Sequence, residues 1–160
     1  MKVVLDTSAI IYLNDFRMFD ELFTVSDVVG EVKDKINVLK LSWIKLKVID
    51  PKESSVKEVK ETAKETGDLE KLSKTDIKIL ALAKEDSLTI VSDDYNIQNV
   101  AEKFDINCIS LFSKKITKLV RWGKYCNNCG KFYENKDNCP RCGSQLARKP
   151  ITEEFIKEKK

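Results

Sequence analysis

Short apolar runs that end in acidic residues occur at two places along the chain. Lys2–Leu5 leads into Asp6-Thr7-Ser8, and the apolar residues 9–13 that follow indicate a helix with a broad apolar face. Leu88–Ser92, rich in β-branched residues, leads into Asp93-Asp94, after which apolar residues recur at helical spacing. Both segments therefore predict a buried strand, a carboxylate at its end and then a helix.

Further strands and helices alternate along the chain. The predicted helices cover residues 27–35, 54–65 and 73–85, and the predicted strands cover 46–49 and 108–111. Ser26 is the expected N-cap of the first helix, Gly67 closes the second, and Ser73 forms a capping box with Asp76. This alternation is typical of an α/β fold with a parallel sheet sandwiched by helices, in which ligands bind beyond the carboxyl ends of the strands.

The two strand ends offer carboxylates and no phosphate-binding loop. Neither a Gly-x-Gly-x-x-Gly nor a Walker-type sequence follows either strand, so the expected ligand is a cation. If the strands are neighbours, Asp6 and Asp93 repel each other unless a divalent ion lies between them, and oxygen ligands favour Mg²⁺ or Mn²⁺. There is an alternative without a metal. Asp6, Asp76 and Asp94 stand where aspartate caps helices, and Glu31 fits a solvated helix face.

Composition fits one ordinary domain with a small appendage. The chain has 160 residues, of which 42% are hydrophobic and 34% charged. No apolar stretch approaches the roughly 20 residues of a membrane span, so we expect a cytoplasmic protein. The sequence contains no histidine, which excludes Ser-His-Asp and Cys-His catalysis, histidine-based ribonuclease chemistry and His-ligated metal sites.

Four of the five cysteines form two Cys-x-x-Cys pairs, each followed by glycine. They are Cys126, Cys129, Cys139 and Cys142, with nine residues between the pairs. Two such turns direct four thiolates at one tetrahedral centre, which predicts structural zinc, with a rubredoxin-like iron site as the alternative. A disulfide is disfavoured in a cytosolic chain, and a redox dithiol lacks the following helix. The fifth, Cys108, is expected to be a small buried strand residue.

Charge is divided unevenly between the two parts of the chain. Residues 1–113 carry 16 Lys and Arg against 21 Asp and Glu, whereas residues 114–150 carry 10 against 2. The small cysteine module is therefore basic and the larger body acidic. A module with so large an excess of positive charge indicates contact with phosphates.

The acidic residues, taken in order, resemble the acidic quartet of PIN-domain nucleases over residues 1 to about 113. The matching residues are Asp6-Thr7-Ser8, Glu31, Asp76 and Ser92-Asp93-Asp94. The resemblance implies a five-stranded parallel sheet and metal-dependent RNA cleavage. It also implies that Asp6, Glu31, Asp76 and Asp93 hold Mg²⁺ or Mn²⁺, with Asp94 as a further candidate.

The whole chain resembles, more narrowly, the archaeal Nin-one-binding endonucleases of ribosome assembly. The resemblance rests on a four-cysteine ribbon directly after a PIN body and on the segments Thr66–Ser73 and Asp94–Val100. It implies the cut that matures the 3′ end of small-subunit ribosomal RNA, with precursor RNA, the pre-ribosomal particle and assembly proteins as partners. The expected domains are a nuclease at 1–113, a linker or connecting strand at 114–121, the ribbon at 122–150 and a charged, frayed tail at 151–160.

A basic ribbon has an electrostatic reason to exist beside an acidic pocket, which repels RNA until metal neutralises it. The candidate phosphate contacts are Arg121, Lys124, Lys131, Arg141, Arg148 and Lys149. The candidate base-stacking residues are Trp122, Tyr125, Phe132 and Tyr133, some of which must form the core of so small a module.

Three other functions are alternatives to this one. The first is a non-catalytic RNA-binding assembly factor whose acidic residues only cap helices. The second is a PIN toxin acting on transfer or messenger RNA, which the ribbon disfavours. The third is receiver-like phosphotransfer, which needs paired acids after the first strand, where only Asp6 is present.

Overall fold

The computed structural model describes residues 1–134 and 136–156, and its larger sheet is five-stranded and parallel throughout. The strand order is β3-β2-β1-β4-β5. The strands are β1 (Lys2–Leu5), β2 (Glu21–Thr24), β3 (Leu46–Val48), β4 (Thr89–Val91) and β5 (Cys108–Ile109). The predicted α/β fold with a five-stranded parallel sheet is confirmed.

Helices connect these strands and cover the sheet. They are α1 (Thr7–Tyr12), α2 (Ser26–Glu31), α3 (Lys35–Trp43), α4 (Glu53–Thr66), α5 (Lys74–Asp86) and α6 (Tyr95–Lys103). The core lies between sheet and helices, where Val3, Val4 and Leu5 of β1 and Ile79 and Leu80 of α5 expose no surface. Over the described residues, each helix is too short or too polar to cross a membrane.

Local signals located most helix boundaries. Gly67 ends α4 with a φ of 75°, and Ser73 and Asp76 form the predicted capping box of α5. The predicted helix over 27–35 with Ser26 as its cap is wrong in both respects. The N-cap is Val25, because the Ser26 hydroxyl donates to Asp50 Oδ2 at 2.7 Å, and the helix ends at Glu31. The chain leaves the helix at Val32, which is extended and buried.

Two elements have no counterpart in the sequence analysis. The strand β2 is four residues long and buries Leu22, Phe23 and Thr24 consecutively, so it lacks the alternation that identifies a strand. The helix α3 buries none of its residues, so its apolar positions do not form a core-facing stripe.

A second, antiparallel sheet follows the nuclease body, in the strand order β7-β6-β8. Its strands are β6 (Lys118–Tyr125), β7 (Phe132–Tyr133) and β8 (Ala147–Phe155). Residues 151–155 were expected to be a frayed tail, and this expectation is wrong, because they pair with β6 from Thr152 opposite Arg121 to Phe155 opposite Lys118. Their acidic side chains, Glu153 and Glu154, resemble a tail in composition, and both are exposed although the strand is paired. Residues 157–160 of that tail lie outside the described residues.

The ribbon sheet packs against the body through β6 and β8. Asn99 of α6 donates to the Val120 carbonyl at 2.7 Å and accepts from the Val120 amide at 2.8 Å. Asp68 is fully buried and accepts from Arg148 of β8 at 2.6 Å and from Asn99 at 2.6 Å. A Cβ at Gly67 would collide with the Trp122 backbone, so only glycine permits this approach.

Candidate active site and metal centre

The acidic residues meet where the strand order of the parallel sheet reverses. The chain passes from β1 to β2 on one side and from β4 to β5 on the other, which makes the β1–β4 boundary a topological switch point. Leu5 lies opposite Val91 in the register of this pair. Asp6 and Ser92 are therefore the next residues beyond the sheet, at the edge where ligands bind in such folds.

Asp6 is held rigidly and is buried at this edge, with 7% of its surface exposed. As the N-cap of α1, its Oδ1 accepts from the Ala9 amide at 2.5 Å and from the Ser8 hydroxyl at 2.8 Å. Burial raises the pKa of Asp6, and the nearby Asp76 adds to the rise, although hydrogen bonds from Ser92, Ala9 and Ser8 oppose it. Keeping the Asp6 carboxylate ionised in this buried position therefore costs free energy.

Asp76, Glu31 and Asp94 complete the acidic cluster around Asp6. Burial raises the pKa of Asp76, its capping contacts with Ser73 lower it, and repulsion from Asp94 and Glu31 raises it further. Glu31 joins two helix starts, since its Oε2 accepts from Thr7 of α1 and its Oε1 accepts from Thr75 of α5 at 2.6 Å. The structure thus brings together residues from four separate chain segments.

Asp93 has different surroundings from these four residues. Its Oδ1 accepts the amides of Leu111, Phe112 and Ser113 at 2.9–3.1 Å and the Ser113 hydroxyl at 2.9 Å. Burial acts to raise the pKa of Asp93, but these hydrogen bonds outweigh it and lower the pKa below its ordinary value. Asp94 instead caps α6, with Oδ1 accepting the Asn96 amide at 2.7 Å. Asp93 fixes the loop after β5, and Asp94 faces Asp76.

The charge of the acidic cluster is not balanced by basic side chains. Within residues 1–134 and 136–156, no ion pair involves Asp6, Glu31, Asp76 or Asp94, whereas Asp27 nearby pairs with Lys78. A divalent cation would balance this charge, and oxygen donors suit Mg²⁺ or Mn²⁺. Among the described residues, only the cysteines bring three or more potential ligand atoms within 4.8 Å of one another. The wider spacing of the carboxylates leaves room for the water that Mg²⁺ retains.

The four cysteines form a compact site in the ribbon. Their sulfurs lie within 4.8 Å of one another, with Cys126–Cys142 at 3.6 Å and Cys129–Cys139 at 3.8 Å. Tetrahedral zinc with bonds of about 2.3 Å separates its sulfurs by about 3.8 Å, so the donor set fits that ion. Contacts with Ser144 lower the pKa of Cys142 to about 6, whereas contacts with the other sulfurs raise that of Cys129 to about 12. All four ionise together only with a cation among them.

The predicted phosphate contacts divide into two groups. Three of the basic side chains already have acidic partners: Arg121 with Glu134, Lys124 with Glu70 and Asp137, and Arg148 with Asp68. The other three, Lys131, Arg141 and Lys149, are exposed, and the ammonium of Lys149 lies 4.2 Å from the centre of the Tyr125 ring. Arg148 is engaged within the protein, because its guanidinium stacks on Trp122 at 4.1 Å and pairs with a buried carboxylate, and its contact with RNA stays a prediction.

The ribbon aromatics are mostly engaged within the ribbon. Trp122 lies under Arg148, Tyr125 packs on Phe132 with ring centres 4.9 Å apart, and the Tyr133 hydroxyl lies 3.5 Å from Cys139 Sγ. Phe132 keeps 45% of its surface exposed. More strongly exposed rings lie on the nuclease body, among them Tyr12 and Phe112.

Sequence reasoning did not identify the hydroxyl groups that hold the carboxylates. Thr7 and Thr75 bind Glu31. Ser92, which is buried, binds Asp6, and its hydroxyl oxygen accepts the Asp94 amide at 3.1 Å. Thr7 and Ser92 stand directly beside the acidic residues in the sequence, which is the one signal available for them. Thr75 has no such signal because its partner is 44 positions away.

Comparison with known proteins agrees with this site. A family model described as the PIN domain of ribonuclease matches residues 3–85. The endoribonuclease Nob1 of Archaeoglobus fulgidus is 40% identical over 147 residues, which cover 89% of this chain and 87% of that protein. The ribonuclease VapC1 of Thermoplasma acidophilum is 38% identical, covering 92% and 78%. The 20S-pre-rRNA D-site endonuclease nob1 of Schizosaccharomyces pombe is 32% identical over 109 residues, covering 66% and 28%.

The fold, the acidic switch-point site and the matching family model define a PIN-domain ribonuclease. Within that class, the chain belongs to the Nob1 endoribonuclease family, with a four-cysteine ribbon after its PIN domain.

Proposed function

We propose that this chain cuts precursor small-subunit ribosomal RNA at its 3′ end during ribosome assembly, using Mn²⁺ or Mg²⁺. The observation that carries the catalytic part is the cluster of four carboxylates at the switch point, which have no basic partner among residues 1–134 and 136–156. The name of the Schizosaccharomyces pombe relative supports precursor ribosomal RNA as the substrate. The pre-ribosomal particle and its assembly proteins are the proposed partners, and zinc is the proposed ion of the ribbon.

Asp6, Glu31, Asp76 and Asp94 are the proposed ligands of the catalytic ion or ions. A divalent ion held by these residues would supply an activated water and stabilisation of the charge that develops in an in-line displacement. The chain itself fixes the ligands: Ala9 and Ser8 orient Asp6, while Thr7 and Thr75 orient Glu31. Water adds to phosphorus, the bond to the 3′ oxygen breaks, and the products carry a 5′-phosphate and a 3′-hydroxyl.

The decisive experiment incubates the protein with an RNA fragment spanning the precursor 3′ junction, in Mn²⁺, Mg²⁺ or chelator. We expect one specific product with either metal and none in chelator. Asp6→Asn retains the helix cap and should bind the RNA without cutting it. RNA binding by the wild type without cleavage in any metal would favour the non-catalytic assembly factor instead.

The surroundings of Asp93 and Asp94 lead to a sharper prediction about the fourth ligand. Asp94→Asn removes a charge that faces Asp76, so we expect it to lower kcat by at least about 100-fold. Asp93→Asn keeps an oxygen that accepts the amides of Leu111, Phe112 and Ser113, so we expect a loss of less than about tenfold. Single-turnover cleavage in Mn²⁺ measures both variants. Equal losses would return Asp93 to the proposed ligand set.

A PIN ribonuclease that acts on transfer or messenger RNA is the second candidate, favoured by the similarity to VapC1 across 92% of this chain. Mapping of cleavage sites on total RNA separates the two. Cuts confined to the precursor 3′ junction support the ribosomal substrate, whereas cuts in transfer or messenger RNA support the alternative.

A further inference from the structure

Two exposed aromatic rings lie together beside the acidic cluster. Tyr12 is 58% exposed and Phe112 is 73% exposed, and they meet edge to face with ring centres 5.7 Å apart at an interplanar angle of 88°. Rings of this size are normally covered by protein, yet this pair is open to solvent. Among the described residues, neither ring belongs to the two hydrophobic clusters, that of the nuclease body and that of the ribbon.

The backbone fixes the pair relative to the site. Tyr12 ends the helix that Asp6 caps, six residues on, which corresponds to about 9 Å at a rise of 1.5 Å per residue. Phe112 lies in the loop that Asp93 holds, and its own amide donates to Asp93 Oδ1 at 3.1 Å. Asp93 in turn precedes Asp94 of the acidic cluster. Both rings are therefore held by the same short segments that position the carboxylates.

Positive charge also follows Phe112 closely along the chain, where the basic part over residues 114–150 begins. Lys114 and Lys115 follow the loop and are exposed. An aromatic platform beside basic side chains is the combination that binds single-stranded nucleic acid, because every base has a face that stacks and every nucleotide a phosphate.

We propose that Tyr12 and Phe112 form a nucleobase subsite, in which an unpaired base of the RNA substrate stacks beside the scissile phosphate. This inference rests on the proposed function, since it supplies the nucleotide that the acidic site cuts. Stacking there holds the strand where the phosphate meets the carboxylates. It selects unpaired RNA, because a base within a duplex has no free face to offer.

The test measures Mn²⁺-dependent cleavage of a single-stranded RNA of about 12 nucleotides spanning the junction, by wild type, Phe112→Ala, Tyr12→Ala, Phe112→Tyr and Phe155→Ala. Phe155 is the matched control, an exposed phenylalanine on β8 at 79% exposure. We expect each ring-removing change at the pair to raise KM between about 5- and 150-fold, with kcat within about twofold. Phe112→Tyr and Phe155→Ala should behave as the wild type.

A set of abasic substrates shows whether a base occupies the subsite. Replacing one nucleotide at a time, we expect one position at which wild-type KM rises as it does in Phe112→Ala, with no further rise in that variant. If Phe112→Ala instead weakens every substrate equally, the pair only packs the loop and the inference is overturned. The inference is also overturned if the KM of Phe112→Ala equals that of the control variant Phe155→Ala. If the wild type does not cut RNA in Mn²⁺, the proposed function itself fails.

Discussion

Single carboxylates in this protein show the balance between stability and function most directly. Burial raises the pKa values of Asp6 and Asp76, so each carboxylate binds its proton more tightly in the folded state than in the unfolded chain. At pH values between the pKa of the unfolded chain and the higher pKa of the folded state, the folded state holds more protons. Unfolding therefore becomes easier as pH rises through this range. Above that window the charged cluster destabilises the metal-free protein. Catalytic sites commonly carry such a cost.

Asp6→Asn tests this cost. In chelator at neutral pH, we expect the variant to be more stable than the wild type. Its free energy of unfolding should be higher by about 1 kcal/mol, which corresponds to a Tm about 2–4 °C higher. Its stability should also fall less as pH rises above the ordinary pKa of aspartate, about 4. Adding Mn²⁺ should raise the Tm of the wild type and not of the variant. A variant that is less stable than the wild type in chelator would contradict the conclusion that burial raises the pKa of Asp6.

Arg148 and Asp68 form the residue pair on which docking of the ribbon depends most. Asp68 exposes no surface, so Arg148→Met leaves a buried carboxylate without its cation, at a cost of about 3–5 kcal/mol. We expect chemical denaturation to show that loss, with much of it recovered when Asp68→Asn is added. Arg141→Met, at an exposed arginine of the same module, should change stability by less than about 0.5 kcal/mol. Equal losses of stability in Arg148→Met and Arg141→Met would contradict a stabilising role of the buried Arg148–Asp68 pair.

At the scale of elements, local sequence signals predicted what local physics decides. The two strand–carboxylate–helix units, the Gly67 cap and the Ser73–Asp76 capping box needed only neighbouring residues, and all were found. The strand β2 and the pairing of β8 depend on tertiary partners, so neither was predicted. The acidic site followed the same rule. Its residues were identifiable from strand ends and family resemblance, but the different orientations of Asp93 and Asp94 depend on the loop after β5.

The strand β8 gives a direct test at this scale. A chain that ends at Pro150 loses the pairing of residues 152–155 with β6 and the packing of Ile151 over Gly123. Ile151 alone contributes about 1.5 kcal/mol by burial, so we expect Tm to fall by at least about 3–6 °C. The reference is a chain that ends at Ile156 and keeps all of β8. Equal Tm values for the chains that end at Pro150 and at Ile156 would mean that these residues contribute no stability, as expected of a frayed tail.

On the scale of the whole molecule, an acidic nuclease body packs against a basic ribbon. Asn99, Asp68 and Gly67 on the body contact Val120, Arg148 and Trp122 of the ribbon sheet, away from the cysteine loops. Because these contacts involve β6 and β8, they hold the sheet independently of the metal. The cysteine loops carry Lys131 and Arg141, which have no acidic partner within the described residues. A metal ion held by the four cysteines would therefore order loops whose basic side chains have no acidic partner among the described residues.

Cys139→Ser separates the chemistry from the holding of RNA. Opening the thiolate shell disorders loops that bear Lys131 and Arg141, while the switch-point carboxylates stay on the intact parallel sheet. We expect kcat on a short oligonucleotide within about twofold of the wild type, and weaker binding of long precursor RNA. The slope of log K against log salt should fall in magnitude by about 1.4–1.8, since each of the two lost phosphate contacts removes about 0.7–0.9. Unchanged affinity and slope for the long RNA would mean that the ribbon metal has no part in holding substrate.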